Sequence, residues 1–139
     1  MTSQPVLLDT DVLSAILRGQ PQTIVRAQFY LEEHQRFTFS VITYYEVRRG
    51  FLAKGAMRQQ AVFEQLCLAS ALLPLTDEIA HRAAAIYATL YTRGKLIGDA
   101  DILIAATALT HGLALATNNE AHLRRIDELQ IDNWLASKP

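Results

Sequence analysis

Carboxylates stand at the ends of apolar runs in this chain, where a charge is hardest to place without a purpose. Val6-Leu7-Leu8 runs into Asp9-Thr10-Asp11. Phe37-Thr38-Phe39 gives way to a segment led by Ser40 and carrying Glu46. Asp99-Ala100-Asp101 opens the apolar stretch Ile102-Leu103-Ile104-Ala105-Ala106, and Leu113 to Ala116 ends in Thr117-Asn118-Asn119. Acids converging at one edge of a small domain repel one another unless a divalent cation lies among them. Magnesium or manganese takes oxygen ligands, and magnesium keeps several waters and uses one or two carboxylates directly. Three or four acids therefore suit one or two such ions. An ion of this kind stabilises a phosphoryl group in transfer and generates hydroxide from bound water, so a nuclease reaction follows naturally.

Each acid also has a plainer use. Asp11 and Asp99 both suit a helix start, and Glu46 can pair with Arg48 or Arg49 on its own helix. Asp9, ending a buried strand, and Asp101, at the mouth of an apolar helix, need partners. The order of the acids along the chain, rather than any one of them, points to a metal site.

The elements that must position them alternate. Short strands are expected at Val6 to Leu8, Phe37 to Phe39, Ala71 to Leu75 and Leu113 to Thr117, with an edge strand at Leu129 to Ile131. Between them lie a helix from Asp11 to Leu17, stopped by Gly19 and Pro21, and a second from Gln22 to Glu33. Ser40 caps a third that ends near Gly50, and Ala56 to Leu68 forms a fourth. Thr76 caps a fifth, whose Ile79, Ala83, Ile86, Tyr87 and Leu90 share a helical face. The helix starting at Asp99 or Asp101 and ending near His111 is apolar almost all round and therefore central. Glu120 to Arg125 makes a short helical turn. Such alternation implies an α/β fold, a central parallel sheet of four to five short strands flanked by helices. Ligands of such sheets bind beyond the carboxyl ends of the strands, which puts Asp9, Asn118 and Asn119 on one rim within reach of Glu46 and Asp101.

The 139 residues fit one domain, 1-139, with one core. Half are hydrophobic and 19% charged, which excludes a disordered chain, and the net charge of −1 excludes a generic basic coat. The lone Cys67 excludes an intramolecular disulfide and a thiolate zinc site. There is neither a signal peptide nor a run long enough to span a membrane, so a cytoplasmic location with no membrane partner is expected. The four histidines show no metal-ligand spacing, and no Ser-His-Asp context surrounds Ser14 or Ser40.

Four segments together resemble the blocks of PIN-domain ribonucleases. They are Leu7-Leu8-Asp9-Thr10-Asp11-Val12-Leu13-Ser14, Tyr45-Glu46-Val47-Arg48-Arg49-Gly50, Ile97-Gly98-Asp99-Ala100-Asp101 with the Ile102 to Ala106 run, and Ala116-Thr117-Asn118-Asn119. The subgroup that they resemble most is the VapC-type toxins of bacterial toxin–antitoxin pairs. The resemblance spans almost the whole chain and implies a PIN-like domain acting as an Mg2+- or Mn2+-dependent endoribonuclease. Asp9, Glu46 and Asp101 match the first three acids, which hold metal, and Asn119 falls at the fourth position, where many members carry Asp. Asp11 stands where many toxins have Asn. Asp11, Asp99 and Asn119 are supporting residues, and Thr117 resembles the hydroxyl residue that orients a ligand or water.

An RNA substrate needs positive charge at the metal rim. Arg48 and Arg49 follow Glu46, Arg93 and Lys95 flank the loop before Asp99, and Arg124 with Arg125 follows the Asn118-Asn119 turn. Of Tyr44 and Tyr45, one belongs to the core and the other is a candidate to stack on a base. The resemblance further implies a cognate antitoxin protein seated near Phe51, Leu52, Met57 and Phe63, a homodimer or larger toxin–antitoxin assembly, and an RNA substrate with tRNA foremost. Two other readings stand beside this one. Asp9-Thr10-Asp11 superficially matches magnesium-dependent aspartyl-phosphate phosphatases, although no well-placed later Lys follows. The third is a non-catalytic binding module on the same fold.

Overall fold

Short apolar runs such as Val6–Leu8, Ala71–Leu73 and Ala114–Ala116 become strands. The longer segments between strands become helices, four of which open on a side-chain cap. The protein is described by a computed structural model over residues 3–135. In chain order the elements are β1 (Val6–Leu8), α1 (Thr10–Leu17), α2 (Pro21–His34), β2 (Thr38–Ser40), α3 (Val41–Ala53), α4 (Met57–Leu68), β3 (Ala71–Leu73), α5 (Asp77–Thr92), α6 (Asp99–Thr110), β4 (Ala114–Ala116), α7 (Glu120–Leu123) and β5 (Ile131–Asp132).

All strand pairs are parallel, divided into a ladder ordered β1-β4-β5 and a second joining β2 to β3. The two ladders lie side by side through β1 and β2. Side-chain alternation splits the core in two. Val6, Leu8, Ala114 and Ala116 face α1 to α4, where Phe39, Phe63, Tyr30 and Trp134 fill the space. Leu7 and Leu115 face α5 and α6 with Ile79, Leu90 and Ile104. As its all-round apolarity requires, α6 is buried through Ile102, Ile104, Ala105, Ala106 and Ala108.

Several boundaries differ from expectation, each for a local reason. Pro21 opens α2 at its first turn rather than stopping α1, because its missing N–H costs nothing there. Gly50 does not end α3, which continues to Ala53, and the chain turns at Gly55 with positive φ. β3 stops at Leu73 because Pro74 has no N–H to give a ladder. The last strand pairs Ile131 and Asp132 with Leu115 and Ala116, beginning two residues and ending one residue later than expected. Asp132 is fixed by Arg26 at 2.8 Å and by the indole N–H of Trp134 at 3.2 Å.

Parallel pairing sends the chain ends that matter to one edge. Leu8 sits opposite Ala116, so Asp9 and Thr117 leave the sheet side by side. Asp9 N–H donates to the Ala116 carbonyl at 2.9 Å, extending the ladder by one residue. Ser40, at the end of β2, accepts from the N–H groups of Ile42 and Thr43 and so launches α3 toward Glu46.

Candidate metal centre

Asp9 is 5% exposed. It, and not Asp11, is the N-cap of α1, its Oδ1 accepting from Thr10 N–H at 2.8 Å. Its Oδ2 accepts from the Thr117 hydroxyl at 2.7 Å. Asp11 lies in the first turn, its Oδ2 accepting from Asn118 N–H at 3.0 Å with the Thr117 hydroxyl at 3.5 Å. Thr117 Oγ1 in turn accepts from Asn119 N–H at 3.0 Å. One buried hydroxyl thus ties the end of β1 to the end of β4 and orients the Asp9 carboxyl.

Glu46 reaches the same edge from α3. Its Oε1 accepts from the Thr10 hydroxyl at 2.6 Å, and that hydroxyl also lies 3.1 Å from Thr43 Oγ1. Asp101 enters from the first turn of α6, behind the N-cap Gly98. Electrostatics register the convergence. Burial first, then the charge of Asp11 and more weakly that of Asp101, push the Asp9 carboxyl up to about 7. Asp11 is raised by burial and by Asp101, and Asp101 by burial and by Glu46. The structure therefore gathers Asp9, Asp11, Glu46 and Asp101.

A hard divalent cation suits this donor set. Asp11 Oδ1 is buried with no hydrogen-bond partner, and Asp11, Glu46 and Asp101 each raise the proton affinity of a neighbouring acid. Among the described residues no three Asp, Glu, His or Cys side chains form a ready-made cage. An ion completed by water needs only one or two of the carboxylates.

The supporting residues divide. Asn119 is at the rim, with Nδ2 3.2 Å from His122 Nδ1. Asp99 lies two residues from Asp101, on the order of 200° around the helix, and borders a recess between α5 and α6 with Tyr87 and Leu103. Neither side chain caps α6, because Gly98 is the cap.

The basic residues also divide. Arg49 comes within 3.9 Å of Glu46, as its i, i+3 spacing allows. Arg48 turns toward α4 and binds Glu64, which also accepts from the Tyr44 hydroxyl at 3.0 Å. Arg93 pairs with Asp127 at 3.2 Å, and Arg124 with Glu120. Lys95 and Leu96 offer their carbonyls to Arg125, at 3.4 and 3.0 Å.

Two residues enter the site without having been singled out. Thr10 donates from its backbone to Asp9 and from its hydroxyl to Glu46; its place between two acids was the available signal. His122 opposes the rise in the Asp101 pKa and touches Asn119. It stands three residues after Asn119 on a helical turn, a spacing that comparing histidines only with one another overlooks.

A groove of about 550 Å³ runs from Glu46 between α1, α3 and α4. Leu17, Val47, Phe51 and Val62 line it, with Arg18, Lys54 and Arg58 also along it. Phe63 is core, Phe51 lines the groove, and Leu52 and Met57 are exposed. Gly50 borders the groove too, and a Cβ there would meet open space.

Known proteins share this frame. The chain is 32% identical to VapC ribonuclease Y4jK of Sinorhizobium fredii over 82% of its length and 86% of the relative's. It is also 32% identical to toxin FitB of Neisseria gonorrhoeae, over 93% and 98% respectively. Among solved structures, DNA-bound VapBC from Salmonella typhimurium superposes with a TM-score of 0.83 at 28% identity, covering 95% of this chain and 99% of that one. VapBC-1 from nontypeable Haemophilus influenzae gives 0.81 at 28% identity, over 94% and 98%. The PIN domain model matches residues 6–129, and the chain belongs to the PIN domain family.

Proposed function

We propose that this single PIN domain is a divalent-metal-dependent endoribonuclease and the toxin of a toxin–antitoxin pair. The convergence of Asp9, Asp11, Glu46 and Asp101 on one rim carries the reading. Similarity to proteins named VapC ribonuclease and toxin FitB supports it.

Asp9, Glu46 and Asp101 are the residues that would hold Mg2+ or Mn2+, with Asn119 and Asp11 supporting them. When bound, such an ion supplies an activated water for attack on a phosphodiester and offsets charge on its oxygens. Thr10 holds one oxygen each of Asp9 and Glu46, and Thr117 holds the other oxygen of Asp9. The acids thus keep their orientation with few rotatable bonds left free. His122 lowers the proton affinity of Asp101 and favours its ligating form. Arg49 lies where a substrate phosphate would approach Glu46.

The groove beside Glu46 is the proposed seat of the antitoxin, an apolar segment with acidic residues for Arg18, Lys54 and Arg58. A cation from that segment would reach Glu46 and block the rim. Similarity to the solved VapBC structures supports such a partner. A homodimer, with tRNA as the substrate, belongs to the same proposal.

Purified protein incubated with total RNA in Mg2+, in Mn2+ and in EDTA, beside Asp101→Ala, tests the activity. Discrete fragments that require metal and disappear in the variant are expected. Equal cleavage by wild type and variant would overturn the reading, as would cleavage of small phosphate esters without cleavage of RNA.

A further inference from the structure

Two consecutive tyrosines on α3 have opposite fates. Tyr44 stacks on Phe63, with centroids 5.6 Å apart, and donates to Glu64. Tyr45 is 57% exposed, so most of its ring gains nothing from burial in the core. Its ring is overlaid by the Arg49 guanidinium at 5.0 Å from the centroid. Arg49 is itself well exposed and within 3.9 Å of Glu46. At about 100° per residue, Val47, Gly50, Phe51 and Lys54 project on the groove flank of α3. Tyr45, Arg49 and Leu52 project on the other, with Glu46 between the two flanks.

We propose that Tyr45 and Arg49 form a nucleotide subsite of the ribonuclease, in which an unpaired base stacks on the ring and the adjacent phosphate meets the guanidinium. The subsite rests on the ribonuclease reading and extends it, naming single-stranded RNA as what passes this flank of Glu46. A flat π-face accepts any base, while a fixed cation beside it accepts the backbone, a combination that suits single strands. Arg49 pairs with Glu46 and is within reach of a phosphate brought to the metal rim. Because the groove lies on the opposite flank, a segment lying there leaves the Tyr45 ring uncovered.

Fluorescence anisotropy of a short, randomised, labelled single-stranded oligoribonucleotide in EDTA, with full-length protein, tests this. Tyr45→Ala should weaken binding about tenfold, while Tyr45→Phe, which keeps the π-face, stays within about twofold of wild type. Arg49→Ala should reduce the slope of log affinity against log salt by about 0.7, the value for one phosphate on a single strand. Arg49→Lys should retain the slope. Unchanged binding by Tyr45→Ala, in a wild type that binds and cleaves RNA, would overturn the subsite alone. Weakening that coincides with a change in sedimentation from dimer to monomer would overturn it in favour of a contact between copies. A wild type that neither binds nor cleaves RNA would overturn the parent reading and the subsite with it.

Discussion

The two halves of the acidic rim are built differently. At the strand ends, Asp9 and Asp11 are held by the Thr117 hydroxyl and by the backbone of Thr10 and Asn118. Burial is the largest influence on both. On the helices, Glu46 in the second turn of α3 and Asp101 in the first turn of α6 are more open than Asp9, and after burial Asp101 responds most to neighbouring charge, that of Glu46 and His122. A parallel ladder fixes the first half, because register alone sets Asp9 against Thr117. Helix packing brings the second half to it. The strand-end half stores repulsion that an ion would relieve, and the helix half holds charge that would be free to adjust to it.

The largest effect that would break this contrast lies at Asp9. Its carboxyl is raised from 3.8 to about 7 in the fold. Between those values the unfolded chain has released the proton that the folded chain retains, so metal-free stability falls as pH rises through that window. Asp9→Asn should make the decline shallower, leaving the part that the raised Asp11 and Asp101 carboxyls contribute, and raise metal-free stability at pH 8 by on the order of 2–4 kcal/mol. Cleavage should fall about a hundredfold or more. Urea melts in EDTA from pH 4 to 8 report the first outcome, and a steeper decline in the variant would contradict it.

Two hydroxyls sharpen the contrast. Thr117→Val leaves Asp9 Oδ2 and the Asn119 N–H without their partner and should cost about 1–3 kcal/mol. Thr10→Val removes a more exposed bond to Glu46 and should cost about 1 kcal/mol or less, while lowering kcat more than it raises KM. Paired denaturation and kinetic measurements check both, and equal stability losses would mean that the halves are equally fixed.

The smallest effect is expected at Asp99. Its place beside the α5–α6 recess sets it apart from Asp101. Asp99→Asn should leave cleavage within about twofold and stability within about 0.5 kcal/mol. A loss comparable with that of Asp101→Ala would restore Asp99 to the acidic set.

The strand-end half was the more legible in sequence. Apolar runs ending in Asp9 and in Thr117 declare both strand and rim, and parallel topology does the rest. Glu46 was placed by the helix that Ser40 caps and Asp101 by a helix expected to start at Asp99 or Asp101, next to the observed cap Gly98, but their mutual approach depends on packing that periodicity does not encode. Arg48 and Arg49 are adjacent in sequence, yet about 100° of helix sends one to Glu64 and leaves the other beside Glu46. His122 escaped notice because, although it shares a helical turn with Asn119, the acid it influences, Asp101, lies on α6. Gly50 looked like a stop signal because glycine disfavours helix, whereas α3 carries it through to border the groove.

The most direct measurement is the melting temperature of metal-free protein titrated with Mn2+ at pH 8, beside Asp9→Asn. A cation relieving the repulsion among Asp9, Asp11 and Asp101 should raise the wild-type melting temperature in a saturable way and leave the variant nearly unchanged. A wild type that shows no Mn2+-dependent rise while it still cleaves RNA would contradict a metal centre at this rim.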